Sequence, residues 1–181
     1  MVEREAVNRK GVYRLTYIAI MVALATALHV VEAMIPIPYV VPGAKLGLAN
    51  IVALYAVMTS GFGDAMAVSL LRTLLGSLIS GTFLSVGYYL STAGAVLSTV
   101  VMYGLHKLGK GGFSAMGISV AGSISHNVGQ LLVATVLLKH AGVMFYLPYL
   151  LLFAIPTGIF VGLLAGKLIK YTEKTYARRQ I

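Results

Sequence analysis

TLLGSLISGTFLSVGYYLSTAGAVLSTVVMYGLH, residues 73–106, carries no ionised side chain when His106 is neutral, and its reading decides the fold. A helix crossing the hydrocarbon core of a bilayer takes about 20 residues. The run is too long for one crossing, so it holds two. The break is expected at 81–87, where Gly81, Thr82, Ser85 and Gly87 weaken the helical pattern. That leaves one helix over 65–80 and a second over 88–106.

The same poverty of charge extends in both directions. Between Arg14 and Lys167 the only ionised residues are Glu32, Lys45, Asp64, Arg72, Lys107, Lys110 and Lys139. A chain that is 59% hydrophobic and 10% charged lies far from a soluble domain, where about a quarter of residues are charged. Four further helices are predicted, over 12–31, 45–60, 115–138 and 145–170. Proline-rich residues 34–43 form a loop after the first of them, and Lys107 to Phe113 a Gly/Lys turn. Pro148 and Pro156 are expected to kink the last helix, as neighbouring groups in a membrane bundle can satisfy the freed carbonyls. The fold class is an all-α membrane protein, a six-transmembrane-helix bundle forming a single integral membrane domain over 1–181. The first helix imitates a signal peptide, with a basic stretch to Arg14, an apolar run from Leu15 and Ala25-Thr26-Ala27. It is expected to be retained, because its removal would leave five helices and separate the termini across the membrane.

Charge sets the orientation. With the N-terminus inside, eleven Lys and Arg residues flank the inner face and only Lys45 and Lys139 the outer one, with Arg72 buried. The positive-inside rule then places both termini in the cytoplasm of a cell-membrane protein. It also accounts for the net charge of +9 through contact with anionic lipid, so no nucleic acid partner is expected. The absence of cysteine removes disulfides and thiolate chemistry. Scattered histidines and few acids make a metal site a poor reading, and no cofactor is expected. Gly104-Leu-His-Lys-Leu-Gly109-Lys110 imitates a P-loop, but Gly111 replaces the Mg²⁺-binding hydroxyl and a membrane helix precedes it. Diphosphate chemistry with Mg²⁺ needs clustered aspartates, and the chain has one Asp. The chain is not expected to be an enzyme.

Polar residues inside apolar helices mark the candidate site. Arg72 shares a helix face with Ser69, Thr73, Gly76 and Ser80, so it looks into the bundle. A charge at that depth costs roughly 3 kcal/mol on insertion scales. It either clamps helix carbonyls or meets a ligand anion. His126, Asn127 and Gln130 bring three bulky polar groups within five positions and suggest a cavity lining. Asn50, together with Tyr88 and Tyr89, is expected to complete it. Small residues recur every fourth position as Gly158, Gly162 and Gly166, as Gly117, Ala121, Ser125 and Gly129, and as Ala19, Ala23 and Ala27. Such ridges let helices approach closely in lipid.

These signals together resemble a known family. The Ala-rich first helix and proline-rich loop lead into Pro42-Gly-Ala-Lys-Leu-Gly-Leu-Ala-Asn50. Arg72-Thr-Leu-Leu-Gly-Ser-Leu-Ile-Ser-Gly81 and Ala121-Gly-Ser-Ile-Ser-His-Asn-Val-Gly-Gln130 follow. The ensemble resembles the Gx transporter family, also called heptaprenyl diphosphate synthase component I. That family is similar to the substrate-binding S components of energy-coupling factor (ECF) transporters. The resemblance implies a substrate site on the outer side beneath the first loop, with Lys45 joining the residues above as a ligand contact. It implies separate ATPase subunits and a membrane coupling protein that docks on Ala19, Ala23 and Ala27. The substrate expected is a small anionic or amphipathic solute, such as an isoprenoid or quinone precursor. The alternative is a membrane accessory subunit of a polyprenyl diphosphate synthase.

Overall fold

The computed structural model describes residues 2–34, 47–109 and 112–179, so Lys45 and most of the proline-rich segment lie outside the described residues. Among the described residues six α-helices follow one another: α1 Val2–Met34, α2 Leu48–Thr59, α3 Phe62–Ile79, α4 Val86–Leu108, α5 Ala115–Leu138 and α6 Leu147–Arg179. A 3-10 turn, Ala141–Tyr146, leads into α6. The chain is an all-α membrane protein. Five of its helices are long and apolar enough to cross a bilayer.

The exception is α2. Its 12 residues rise about 18 Å at 1.5 Å per residue, well short of the roughly 30 Å hydrocarbon core. The expected helix from Lys45 therefore starts too early. Gly47 has φ 74°, a left-handed conformation that glycine adopts without steric cost and that an α-helix cannot continue through. What remains of α2 is apolar apart from Asn50 and Thr59 and sits at the centre, with Ala49 and every residue from Val52 to Val57 buried.

The other helices curl around α2 in the order α1, α3, α4, α5, α6, each packing on the next. α1 and α6 both pack on α2 but make no close approach to each other among the described residues. Successive helices alternate in direction. Arg14 Nε donates to both carboxylate oxygens of Asp64 at 3.0 and 3.2 Å, joining the starts of α1 and α3. The hydroxyls of Tyr17 and Thr59 meet at 3.0 Å where α2 ends. With Gly162 of α6 packed on Met116 at the start of α5, the first part of α1 and the last part of α6 lie at one end of the bundle, the termini end. Asp64, read as part of a turn, stands in the first turn of α3, where a carboxylate favours the helix dipole.

The glycine ridge of α6 is internal packing. A Cβ at Gly158 would stand 2.7 Å from Val120 Cα, and one at Gly162 would stand 2.5 Å from Met116 Cα, both on α5. The ridge read on α5 needs correcting. Gly117 is exposed, and the close approaches to α4 are at Gly122, under Met102, and Gly129, against the Ala93 carbonyl. Pro148 is also corrected: it is the second residue of α6, where its missing N–H has no helical acceptor, so the interior proline is Pro156 alone. On α1, Ala19, Ala23 and Ala27 all face outward, whereas Val22, Ala25 and Thr26 are buried.

Candidate functional site

At the N-terminus of α2, side chains from all six helices surround a cavity. The resulting cavity is lined by His29 and Glu32 of α1, by Gly47 and Asn50, by Arg72 and Thr73 of α3, and by Ser91 of α4. Ser123, His126 and Asn127 of α5 and Leu150, Phe153, Ala154 and Thr157 of α6 complete it. It lies in the half of the bundle away from the termini. The space open to the centres of water-sized molecules is about 40 Å³.

Arg72 is the centre of the site. It is 3% exposed, and its Nη2 donates to Asn50 Oδ1 at 2.7 Å. Its Nε, also buried, has no hydrogen-bond partner among the described residues. Leaving a charged donor unmatched in a low-dielectric interior is costly. The guanidinium is a rigid planar fork suited to a carboxylate or phosphate, so its unmatched Nε offers a donor to an anion. Glu32, 6% exposed, shares the cavity and accepts a hydrogen bond from the Gly47 backbone N–H, holding the end of α1 to the start of α2.

The α5 wall is held from behind. Gln130 Nε2 and His126 Nε2 lie 3.2 Å apart, and Asn127 Nδ2 donates to the Leu150 carbonyl of α6 at 3.0 Å. His126 reaches the cavity because Gly94 of α4 has no side chain: a Cβ there would stand 2.9 Å from the imidazole. His29 is seated the same way over Gly76 of α3, where a Cβ would meet its ring at 2.5 Å. On α3 and α4, Thr92 donates to the Thr73 hydroxyl at 3.3 Å, and the Ser69 and Thr99 hydroxyls meet at 2.7 Å. His29, Glu32 and His126 share the cavity without converging as a metal-ligating group among the described residues.

Of the residues expected from sequence, Asn50, Arg72, His126 and Asn127 come together at the cavity. Gln130 stands one layer behind, as the support of His126. Tyr88 and Tyr89 are not in its lining. They stack edge-on with each other, and Tyr88 stacks with Phe83, in an aromatic cluster at the far end of α4. Lys45 falls outside the described residues. Sequence reasoning missed His29, Glu32, Ser91, Thr157 and the apolar α6 wall. A signal existed for Glu32, the sole acid between Arg14 and Asp64.

The heptaprenyl diphosphate synthase component I family model matches residues 21–168, from the middle of α1 through the first two thirds of α6, and so takes in the whole cavity. No curated protein and no solved structure matches the chain. The matched region covers most of the sequence and all the helices that build the site; the chain belongs to the heptaprenyl diphosphate synthase component I family.

Proposed function

We propose that this chain is a non-catalytic membrane subunit that binds a small solute through an anionic group. The observation that carries this reading is the buried Arg72 guanidinium, with an unmatched Nε, in the wall of a polar cavity. The chain's one aspartate is engaged by Arg14 at the termini end, so the cavity has no aspartate pair for Mg²⁺-diphosphate chemistry. With both termini in the cytoplasm, as the charge distribution supports, the cavity faces the outer half of the cell membrane.

Two roles fit such a subunit. The family description names a synthase component, and it favours a membrane accessory subunit of a polyprenyl diphosphate synthase over an importer. The importer role, an ECF S component, draws on the cavity and on the outward alanine ridge of α1. A small-residue strip suits close docking of a partner helix, where lipid offers no hydrophobic driving force. Under this second role the coupling protein would dock at Ala19, Ala23 and Ala27, and separate ATPases would drive uptake.

Mass spectrometry of small molecules released from gently purified protein tests the binding reading: an anionic compound present in stoichiometric amount supports it, and an empty cavity under all mild conditions speaks against it. Capture experiments separate the roles. Retention of a soluble prenyl diphosphate synthase subunit supports the accessory role, whereas retention of a membrane coupling protein with its ATPases supports the importer.

A further inference from the structure

The cavity holds two buried charged groups of opposite sign, Arg72 of α3 and Glu32 of α1. The other titratable groups of its described lining are the imidazoles of His29 and His126. Opposite charges attract strongly in a low-dielectric interior. Arg72 and Glu32 nevertheless make no ion pair, and among the described residues such a pair joins only Arg14 and Asp64. Each is anchored instead to the start of α2. Asn50 Oδ1 accepts from Arg72 Nη2, and the Gly47 N–H donates to a Glu32 carboxylate oxygen. The Asn50 N–H in turn donates to the Gly47 carbonyl at 2.8 Å, so both anchors belong to one hydrogen-bonded turn.

The charge on Glu32 exceeds what its tie requires. A neutral amide oxygen would also accept the Gly47 N–H, and a buried carboxylate is far costlier to desolvate. The tie uses one carboxylate oxygen, whereas an ionised carboxylate accepts through both. Arg72 likewise keeps a buried Nε unmatched among the described residues. The cavity thus presents a positive and a negative pole, each with hydrogen-bonding capacity to spare.

We infer that Glu32 is a second recognition group and that the ligand is a small zwitterion, its acid group meeting Arg72 Nε and its ammonium meeting Glu32. This rests on the anion-binding reading of the same cavity, and it makes the ligand a net-neutral amine-bearing compound rather than a net anion. A dipolar ligand matches both buried charges at once. A plain anion compensates Arg72 but adds a second negative charge beside Glu32, which selects against it. Size agrees: a water molecule needs about 10–15 Å³ by the same measure, so about 40 Å³ is room for a compact molecule.

Equilibrium dialysis against the full chain in phosphatidylcholine nanodiscs tests the inference with two radiolabelled pairs, β-alanine with propanoate and aminoethyl phosphate with ethyl phosphate. Empty nanodiscs are the blank. In at least one pair the aminated member should bind roughly tenfold tighter or more, the gain expected of a hydrogen bond between charged groups. Glu32→Gln keeps an oxygen for Gly47 and removes the charge. In that variant the aminated compound should weaken and the plain anion should tighten, whereas a merely structural Glu32 would weaken both alike. Should the variant fail to fold, the preference in the unmodified protein still decides the ligand class. Equal binding within both pairs, or tighter binding of the plain anions, would overturn the inference and leave the anion-binding reading standing. An undiminished preference in folded Glu32→Gln would also overturn it. No binding above the blank in either pair would remove both readings.

Discussion

Arg72 on α3 and Asn50 on α2 are joined by a 2.7 Å hydrogen bond, and this bond ties the one intramembrane guanidinium to the helix that forms the cavity floor. Asn50 accepts from Nη2 and thereby restrains the guanidinium, while Nε stays unmatched among the described residues. The arrangement reconciles the two roles that the sequence leaves open for Arg72. One nitrogen of the group, Nη2, makes a structural tie and another, Nε, is available to an anion.

Asn50→Leu should therefore act through Arg72. The substitution keeps the number and branching of side-chain heavy atoms and leaves a buried charged donor without its acceptor, which costs roughly 1–3 kcal/mol. Thermal unfolding of the purified variant should show a clear fall in midpoint. A midpoint equal to that of the unmodified protein would mean that the bond carries no structural weight.

The α5–α6 contact offers a graded test within one ridge. Gly162→Ala puts a methyl group 2.5 Å from the Met116 backbone and should cost roughly 1–3 kcal/mol of stability. At Gly166 the nearest atom is the Ala115 methyl at 3.6 Å, ordinary contact, so Gly166→Ala should be close to neutral. Equal losses at both positions would contradict the packing described here.

Because the chain has no cysteine, single-cysteine variants report topology without a background. Ala141→Cys, in the turn before α6, should react with an impermeant thiol reagent in intact cells. Lys107→Cys, at the end of α4, should react only after permeabilisation. The reverse pattern would invert the orientation drawn from charge.

The outward ridge of α1 predicts tolerance. Ala23→Trp should leave expression and thermal stability of the isolated protein near normal, since Ala23 faces away from the bundle. If a partner helix docks there, the same change should abolish its co-purification, because packing lost to a bulky side chain is not recovered in lipid. Normal capture by Ala23→Trp would remove the ridge from the account.

Sequence made the long helices legible because uncharged runs of span length have few alternatives. It overran α2 because nothing in the composition of residues 45–47 announces that Gly47 adopts a left-handed conformation. Arg72, Asn50, His126 and Asn127 stood out as bulky polar groups in apolar surroundings. Ser91 and Thr157 did not, since hydroxyls in membrane helices commonly satisfy themselves locally, as Thr157 does by donating to the Phe153 carbonyl at 2.9 Å. His29 and Glu32 were passed over because polar residues near a helix end read as interfacial. Tyr88 and Tyr89 were assigned to the cavity by their depth, but their facing is set by the stack with Phe83, a tertiary contact that spacing along the chain does not reveal.

Whether the unmatched Nε of Arg72 receives a ligand anion is decided by comparing the unmodified protein with Arg72→Met. The compound released from the gently purified protein is identified by mass spectrometry and its dissociation constant for both forms is measured in detergent, with circular dichroism recorded alongside. The variant should keep its helical content and lose affinity tenfold or more, equivalent to about 1.4 kcal/mol or greater. A folded Arg72→Met protein that binds the same compound as tightly as the unmodified one would contradict it.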